Sequence, residues 1–390
     1  MKHSFFRAAL ILGMLSAIAP FGIDMYLPAL PAIGRSLGAG ISAVQASLMA
    51  YFIALGAGQL IYGPVADQIG RKPPLYFGLL LFGIGSIGCA LANDIQALVT
   101  MRFVQGLGAC ACTVIPRAIV RDLYTGPDAL RLMSTLMLVF SVSPILAPLA
   151  GSLMIDALGW HSVFWFMTGA AVVGWILIYQ LLHETREAEH RQASSWGQAL
   201  RGYLTLLGDR HFLGLVFIGS FGIASFFAYL ANSSFVLIEH YCLTPRQYSI
   251  VFAANAASFI GMSQLTGRLG RRFGLVPMVR FATHAYASIM VLLLICMMLG
   301  LQQLPVLLVL LFFGYGFLGL IIPTTAILAL EDHGAIAGTA SALMGTLQFA
   351  TGAVVMAIVG RFVDGTALPM VAGIAGSAML SWLLVRYTLR

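Results

Sequence analysis

Charge is what this sequence has least of. Only 9% of its 390 residues are Asp, Glu, Lys or Arg, against about 25% in soluble domains. With 60% hydrophobic residues and a mean hydropathy of +0.93, a chain this long would expose too much apolar surface to stay in water. That excludes a soluble enzyme, a nucleic-acid binder and a secreted scaffold. Cysteine is also scarce: Cys89, Cys110, Cys112, Cys242 and Cys296 form no disulfide framework, and Cys110-Ala111-Cys112 lacks the two-residue gap of a zinc site. Four of them sit in apolar runs, where cysteine packs as a small hydrophobe. No Walker A sequence and no metal-ligand cluster occurs, so neither nucleotide nor metal is expected as a cofactor. The alternating runs of about ten residues that build a membrane barrel are missing as well.

What is present is long apolar runs. Twelve can be counted, at 8–30, 43–64, 73–92, 95–117, 132–156, 161–182, 212–238, 247–267, 276–300, 304–329, 336–360 and 367–386. A span needs about 20 residues, and in lipid only a helix satisfies its own backbone. The sequence therefore predicts an all-α membrane protein with twelve transmembrane helices. Its start imitates a secretion signal, with Lys2, Arg7 and a small-residue site at Ala17-Ile18-Ala19. Pro20 follows at once and the apolar run continues to Pro28, so an uncleaved first span is expected.

Basic residues orient the spans. With both termini cytoplasmic, only Arg35, Arg246 and Arg361 of the 21 Lys and Arg residues fall on the opposite face, and Arg102 lies within a span. The others, among them Lys2, Arg191 and Arg390, lie on the side of the termini, a strong positive-inside bias. That bias accounts for the net charge of +7 without any nucleic acid. The longest polar segment, 183–211, opens with His183-Glu184-Thr185-Arg186-Glu187 and reads as a solvated or interfacial linker between two halves, 1–182 and 212–390. The halves repeat: Tyr26 matches Tyr229, Gly63 and Gly70 match Gly267 and Gly274, and Gly106 and Gly108 match Gly314 and Gly316, at offsets of 203–208. Such repeats mark transporters, here as two pseudo-symmetric six-helix lobes.

The halves differ in their charges. Asp24 and Arg102 lie within spans of the first half, where the repeat has Phe227 and Leu310. At about 1.5 Å per residue the two reach similar depth in the outer half of the bilayer. An intramembrane charge is a functional candidate by default: Asp24 for a proton or a substrate, Arg102 to tune it. The alternative is a fixed ion pair that locks two helices.

Between the second and third spans, Gly63-Pro64-Val65-Ala66-Asp67-Gln68-Ile69-Gly70-Arg71-Lys72 combines turn glycines with an acid and two bases. Asp67 suits the positive end of a helix and Arg71 a carboxylate such as Asp122, which together would form a conformational latch; a basic topogenic loop is the plainer reading. In the fifth span Ser143, Pro144, Ala147, Pro148, Ala150 and Gly151 set two prolines four apart among small residues, a hinge or seal if not ordinary close packing. Polar and aromatic residues of the spans are cavity candidates. In the first half they are Tyr26, Tyr51, Gln59, Gln105 and Ser141, and in the second Tyr229, Asn232, Asn255, Ser258, Tyr315 and Gln348.

These segments resemble a known family. Gly63–Lys72 is similar to motif A of the major facilitator superfamily, Leu98 with Arg102, Gln105 and Gly106 to motif B, and Ser143–Gly151 to the antiporter motif C, with Ala147 and Ala150 where glycine is usual. Phe21–Pro31, Arg117–Asp122 and Ala337–Ala342 resemble the bicyclomycin-resistance (Bcr/CflA) branch. The resemblance implies the major facilitator fold and a monomeric, multi-pass protein of the bacterial inner membrane. It further implies a drug:proton antiporter that exports bicyclomycin, phenicols or similar amphipathic small molecules by alternating access, with the proton as coupling ion. Asp24 and Arg102 would then couple the proton, and Asp67, Arg71 and Asp122 form the latch. The rival is a proton-coupled transporter of a metabolite such as an amino acid or sugar. A membrane enzyme would need convergent nucleophiles, bases or metal ligands within the spans, and Asp24 is the one acid plainly there.

Overall fold

A computed structural model describes residues 5–186 and 196–389. Lys2, Glu187, Arg191 and Arg390, which entered the reading of charge, lie outside the described residues. Every regular element among the described residues is helical: α1 (Phe5–Asp24), α2 (Leu30–Ser36), α3 (Ile41–Ile69), α4 (Lys72–Ala90), α5 (Ile95–Leu123), α6 (Gly126–Leu158), α7 (His161–Leu181), α8 (Trp196–Gly208), α9 (Arg210–Ser234), α10 (Pro245–Phe273), α11 (Leu275–Met298), α12 (Leu304–Glu331), α13 (Ala337–Gly360) and α14 (Leu368–Thr388). Among the described residues, twelve segments are long and apolar enough to cross a bilayer, the first being Phe5–Ser36 and the seventh Arg210–His240.

The chain divides into two compact units. One comprises Met1–Ala39 with Ala46–Arg201, the other Gly40–Gln45 with Gly202–Arg390. The linker expected at 183–211 is thus shared between the units. The first turn of α3 belongs with the second unit, where the Ser42 hydroxyl donates to the Gly360 carbonyl and the Gln45 amide to Ala231 O and Asn232 Oδ1.

The first span is discontinuous, and proline explains why. An unbroken helix would take a hydrogen bond from the backbone of residue 28 to the Asp24 carbonyl, but Pro28 has no N–H. The helix stops at Asp24, turns through a 3-10 segment at Leu27–Ala29, and restarts at Leu30 with Pro31 in its first turn. The seventh span ends differently, in a π-helical turn at Phe235–His240. By contrast α6 runs through Pro144 and Pro148 without a break.

The linker contains a helix that its polarity concealed. Three glycines, Gly197, Gly202 and Gly208, lower the helical propensity of α8, yet residues 196–208 are helical. Asp209 then caps α9, accepting from the backbone N–H groups of His211 and Phe212 at 2.8 and 3.1 Å.

Candidate functional site

The break in the first span leaves Asp24 as the last residue of α1, buried, with no hydrogen bond or ion pair to any described residue. Beside it α5 delivers Arg102, which is fully buried. Its Nη1 donates to the Gly22 carbonyl at 3.0 Å and to Gln105 Oε1 at 2.6 Å. The guanidinium carbon lies 4.4 Å from the centre of the Tyr26 ring and 4.2 Å from that of Tyr51, inside the range of cation–π attraction. Each partner is held in turn. Gln105 Nε2 donates to Ser86 Oγ at 2.7 Å, the Tyr26 and Ser47 hydroxyls share a bond of 2.6 Å, and the Tyr51 hydroxyl donates to Ala19 O at 3.2 Å.

The cation is therefore carried by uncharged groups, and no ion pair joins it to Asp24. The sequence placed the two at similar depth and left a locking ion pair open; the structure brings Arg102 to the carbonyl two residues before Asp24 and leaves the carboxyl group apart. Arg102 Nε and Nη2 make no hydrogen bond to any described residue. Close helix approach creates this arrangement. A side chain on Gly106 of α5 would strike the Tyr51 carbonyl of α3, and one on Gly151 of α6 the Met25 backbone at the break. Gly151, read from sequence as part of a hinge, thus packs against the backbone of Met25, the residue after Asp24.

The second unit repeats the geometry without the charge. Tyr229, at the repeat position of Tyr26, accepts from Asn255 Nδ2 at 3.1 Å, stacks on Phe252 and lies 5.4 Å from the Tyr315 ring. Phe226 joins the same group. Asn232 is one turn beyond Tyr229 and donates to Ala228 O, while Ser258 on α10 donates to Phe312 O. Tyr26, Tyr51, Gln105, Tyr229, Asn232, Asn255 and Tyr315 are buried; Gln59, Ser141, Ser258 and Gln348 are half-buried. The expected cavity residues therefore gather in two clusters, one per unit, with Gln59, Ser141 and Gln348 outside both.

The third group lies at the ends of α3, α4, α5 and α7. Gly70 adopts φ +100°, a left-handed conformation that turns the chain from α3 into α4. Arg71 Nη1 donates to Asp67 at 2.7 Å, and its Nε and Nη2 grip both oxygens of Asp122 at 2.7 and 3.2 Å. Lys72 lies over the Tyr76 ring, and Gly63 has open space around it.

Glu184, just past α7, completes this group, and the sequence reading had left it in the linker. Its carboxylate accepts from the backbone N–H groups of Arg71 and Lys72 at 2.8 and 3.1 Å, at the positive end of α4. Thr185 Oγ1 donates to Asp122 at 3.2 Å. Partial burial alone would raise the Glu184 pKa, but N–H donors from Arg71, Arg186, Lys72 and Thr185 outweigh it and hold the carboxyl below its ordinary value. The available signal was an acid placed just past a span and facing a basic loop.

The Major Facilitator Superfamily profile matches residues 12–357. The chain belongs to that superfamily. It is 37% identical over 368 residues to an uncharacterized MFS-type transporter, YdgK, of Bacillus subtilis, covering 93% of this chain and 90% of that one. A bicyclomycin resistance protein homolog of Haemophilus influenzae is 30% identical over 380 residues, covering 97% and 95%. A chloramphenicol resistance protein of Pseudomonas aeruginosa is 28% identical over 303 residues, covering 77% and 71%. Among solved structures, a point mutant of the nucleoside transporter NupG superposes with a TM-score of 0.77 at 15% identity, over 98% of this chain and 100% of that one, a likeness of fold. The chain is thus a multi-pass membrane transporter of small molecules, with relatives named for antibiotic resistance.

Proposed function

We propose that this superfamily member is a proton-coupled antiporter that exports amphipathic antibiotics of the bicyclomycin and phenicol kind. It would sit in a bacterial inner membrane with both termini and the linker on the cytoplasmic side. The carrying observation is the Asp24 carboxyl group, buried at a helix break with no bonding partner among the described residues, near an Arg102 held by neutral groups. A carboxylate locked in an ion pair could not exchange its charge without breaking that pair, whereas an unpaired one can bind and release a proton as access alternates. Broken helices at the ligand level are a recurring transporter device. The names of the Haemophilus and Pseudomonas relatives support the choice of cargo.

In this reading substrate enters from the cytoplasm or inner leaflet with Asp24 ionised, and protonation of Asp24 from outside accompanies release. Each charge moved across 100 mV supplies about 2.3 kcal/mol. Arg102 holds α5 to α1 at Gly22, so a change of charge on Asp24 is felt where these helices meet. The test is substrate-induced proton release in everted vesicles, with bicyclomycin, chloramphenicol and a set of amino acids and sugars, for wild type and Asp24→Asn. An antibiotic-dependent signal lost in D24N supports the reading. A signal only with a metabolite would replace the cargo, and equal signals in both proteins would remove Asp24 from coupling.

A further inference from the structure

The internal repeat builds one aromatic cluster in each unit, and the two copies differ in their bonding. Lys72 and Tyr76 of α4, with Trp175 and Tyr179 of α7, correspond to Arg280 and His284 of α11, with Trp382 and Arg386 of α14, at offsets of 207–208. In the first unit the Tyr76 and Trp175 rings lie 4.6 Å apart, and the Trp175 indole N–H donates to the Tyr76 carbonyl at 3.3 Å. That indole is satisfied within the protein. In the second unit the His284 ring meets the Trp382 ring edge-on at 5.6 Å, and the Arg386 guanidinium carbon stacks 4.3 Å from the centre of Trp382. Here the indole N–H makes no hydrogen bond to any described residue.

Two further groups of the second cluster are unused. α11 and α14 pack against each other, and both are membrane-crossing segments. Arg280 and His284 are exposed one turn apart on one face of α11. His284 Nδ1 donates to the Arg280 carbonyl at 2.6 Å, because a carbonyl can only accept. The neutral ring then turns Nε2 outward as an acceptor. The Arg280 guanidinium has no hydrogen bond or ion pair to any described residue, and neither α11 nor α14 contains an acidic residue. Arg280 lies about 8 Å from the start of α11 and Trp382 about 9 Å from the end of α14, at 1.5 Å per residue, so both stand near the same end of the bundle. Phe281, Leu380 and Leu383 are exposed around them. A guanidinium set in an apolar surface is costly in lipid unless it meets an anion, and basic pockets between spans suit anionic headgroups.

We propose that this face of α11 and α14 is a binding site for phosphatidylglycerol. Arg280 and the Trp382 indole N–H donate to the phosphodiester, His284 Nε2 accepts from a glycerol hydroxyl of the headgroup, and Phe281 and Leu383 carry the acyl chains. Phosphatidylethanolamine offers the same phosphodiester, but its ammonium group cancels the charge that Arg280 attracts. The first unit's copy lacks the free indole donor and has Tyr76 where the acceptor His284 stands. The assignment to the cytoplasmic leaflet rests on the orientation given under the proposed function.

The test titrates the purified full-length protein in detergent with phosphatidylglycerol or phosphatidylethanolamine of identical acyl chains, read by native mass spectrometry. Wild type should hold one phosphatidylglycerol more tightly than any phosphatidylethanolamine. One basic residue near an anionic surface is worth about 1 kcal/mol, so Arg280→Gln should weaken that lipid about fivefold. Trp382→Phe, which keeps a ring and removes the N–H, should weaken it too, whereas Lys72→Gln at the repeat position should leave it unchanged. A photoreactive phosphatidylglycerol should label wild type at 280–284 and 379–387. Equal binding of the two lipids would overturn the anionic requirement. Equal losses in Arg280→Gln and Lys72→Gln, or labels spread over every span end of that leaflet, would overturn the site in favour of a diffuse positive surface. Displacement of the lipid by inorganic phosphate would overturn it in favour of a free anion. The wild-type comparison and the labelling need no variant to fold, and none of these readings needs transport, so their failure is distinct from failure of the export function.

Discussion

Arg102 donates through Nη1 to the Gly22 carbonyl at 3.0 Å, two residues short of a carboxyl group it does not pair with. Folding and coupling should therefore separate at this site. Asp24→Asn removes no hydrogen bond and no ion pair, so it should cost less than about 1 kcal/mol of stability while abolishing substrate-induced proton release. Arg102→Gln loses charge-assisted bonds to Gly22 and Gln105, each worth about 1.5–3 kcal/mol, together with two ring contacts. It should lower the thermal midpoint by far more than D24N in the same detergent. Equal losses for the two variants would show that the carboxylate carries structural weight.

Gly151 offers a second test, because α6 meets the Met25 backbone there with no room for a methyl group. Gly151→Ala should force the helices apart and destabilise by about 1–3 kcal/mol, the usual cost of overpacking. Gly63→Ala, at a position with open space on the same chain, should be close to neutral. Thermal unfolding of the two variants side by side checks the difference.

How much of this was legible depended on the length scale of each signal. Twelve apolar runs, the positive-inside bias and the 203–208 repeat are properties of many residues at once, and the twelve-span helical class came from them directly. The grip of Arg71 on Asp122 followed from complementary charges near span ends, whereas Asp67, expected at the positive end of a helix, accepts from Arg71 and Glu184 takes the helix end. The relation of Asp24 to Arg102 did not, since similar depth in the bilayer says nothing about rotation around each helix axis. That rotation is set by Gly106 against Tyr51 and Gly151 against Met25, contacts between positions far apart in sequence. α8 was hidden because its three glycines and short polar context outweighed its leucines. Glu184 was hidden because its partners are backbone N–H groups, which leave no mark on composition.

Glu184 supplies a pH-dependent prediction. Its pKa is held below the ordinary value, about 4.3, by four backbone donors in the folded protein. A depressed carboxyl stabilises fully above that ordinary value and loses its contribution as pH falls through the lower folded value. Wild type should therefore exceed Glu184→Gln in thermal midpoint at pH 6–8, and the gap should close in acid below about pH 4. As the side chain is exposed, the gap should be no more than about 1 kcal/mol. A gap that persists unchanged into acid would mean that the carboxylate charge is not what anchors the segment after α7 to the start of α4.

Asp209 separates a cap from an ion pair. It accepts from His211 and Phe212 at the start of α9 and pairs with His333 in the loop after α12. The backbone donor of Phe212, helped by that of His211 and by His333, holds its carboxyl below the usual carboxylate range against the opposing effect of burial. Asparagine caps a helix as well as aspartate does, whereas alanine cannot, at a cost of about 0.5–2 kcal/mol. Asp209→Ala should therefore lower the thermal midpoint at every pH where the protein stays folded. Asp209→Asn keeps the cap and loses only the carboxylate facing His333, so it should fall behind wild type by less than Asp209→Ala does. If D209N and D209A fall together, the contact of the carboxylate with His333 and not the cap holds the start of α9.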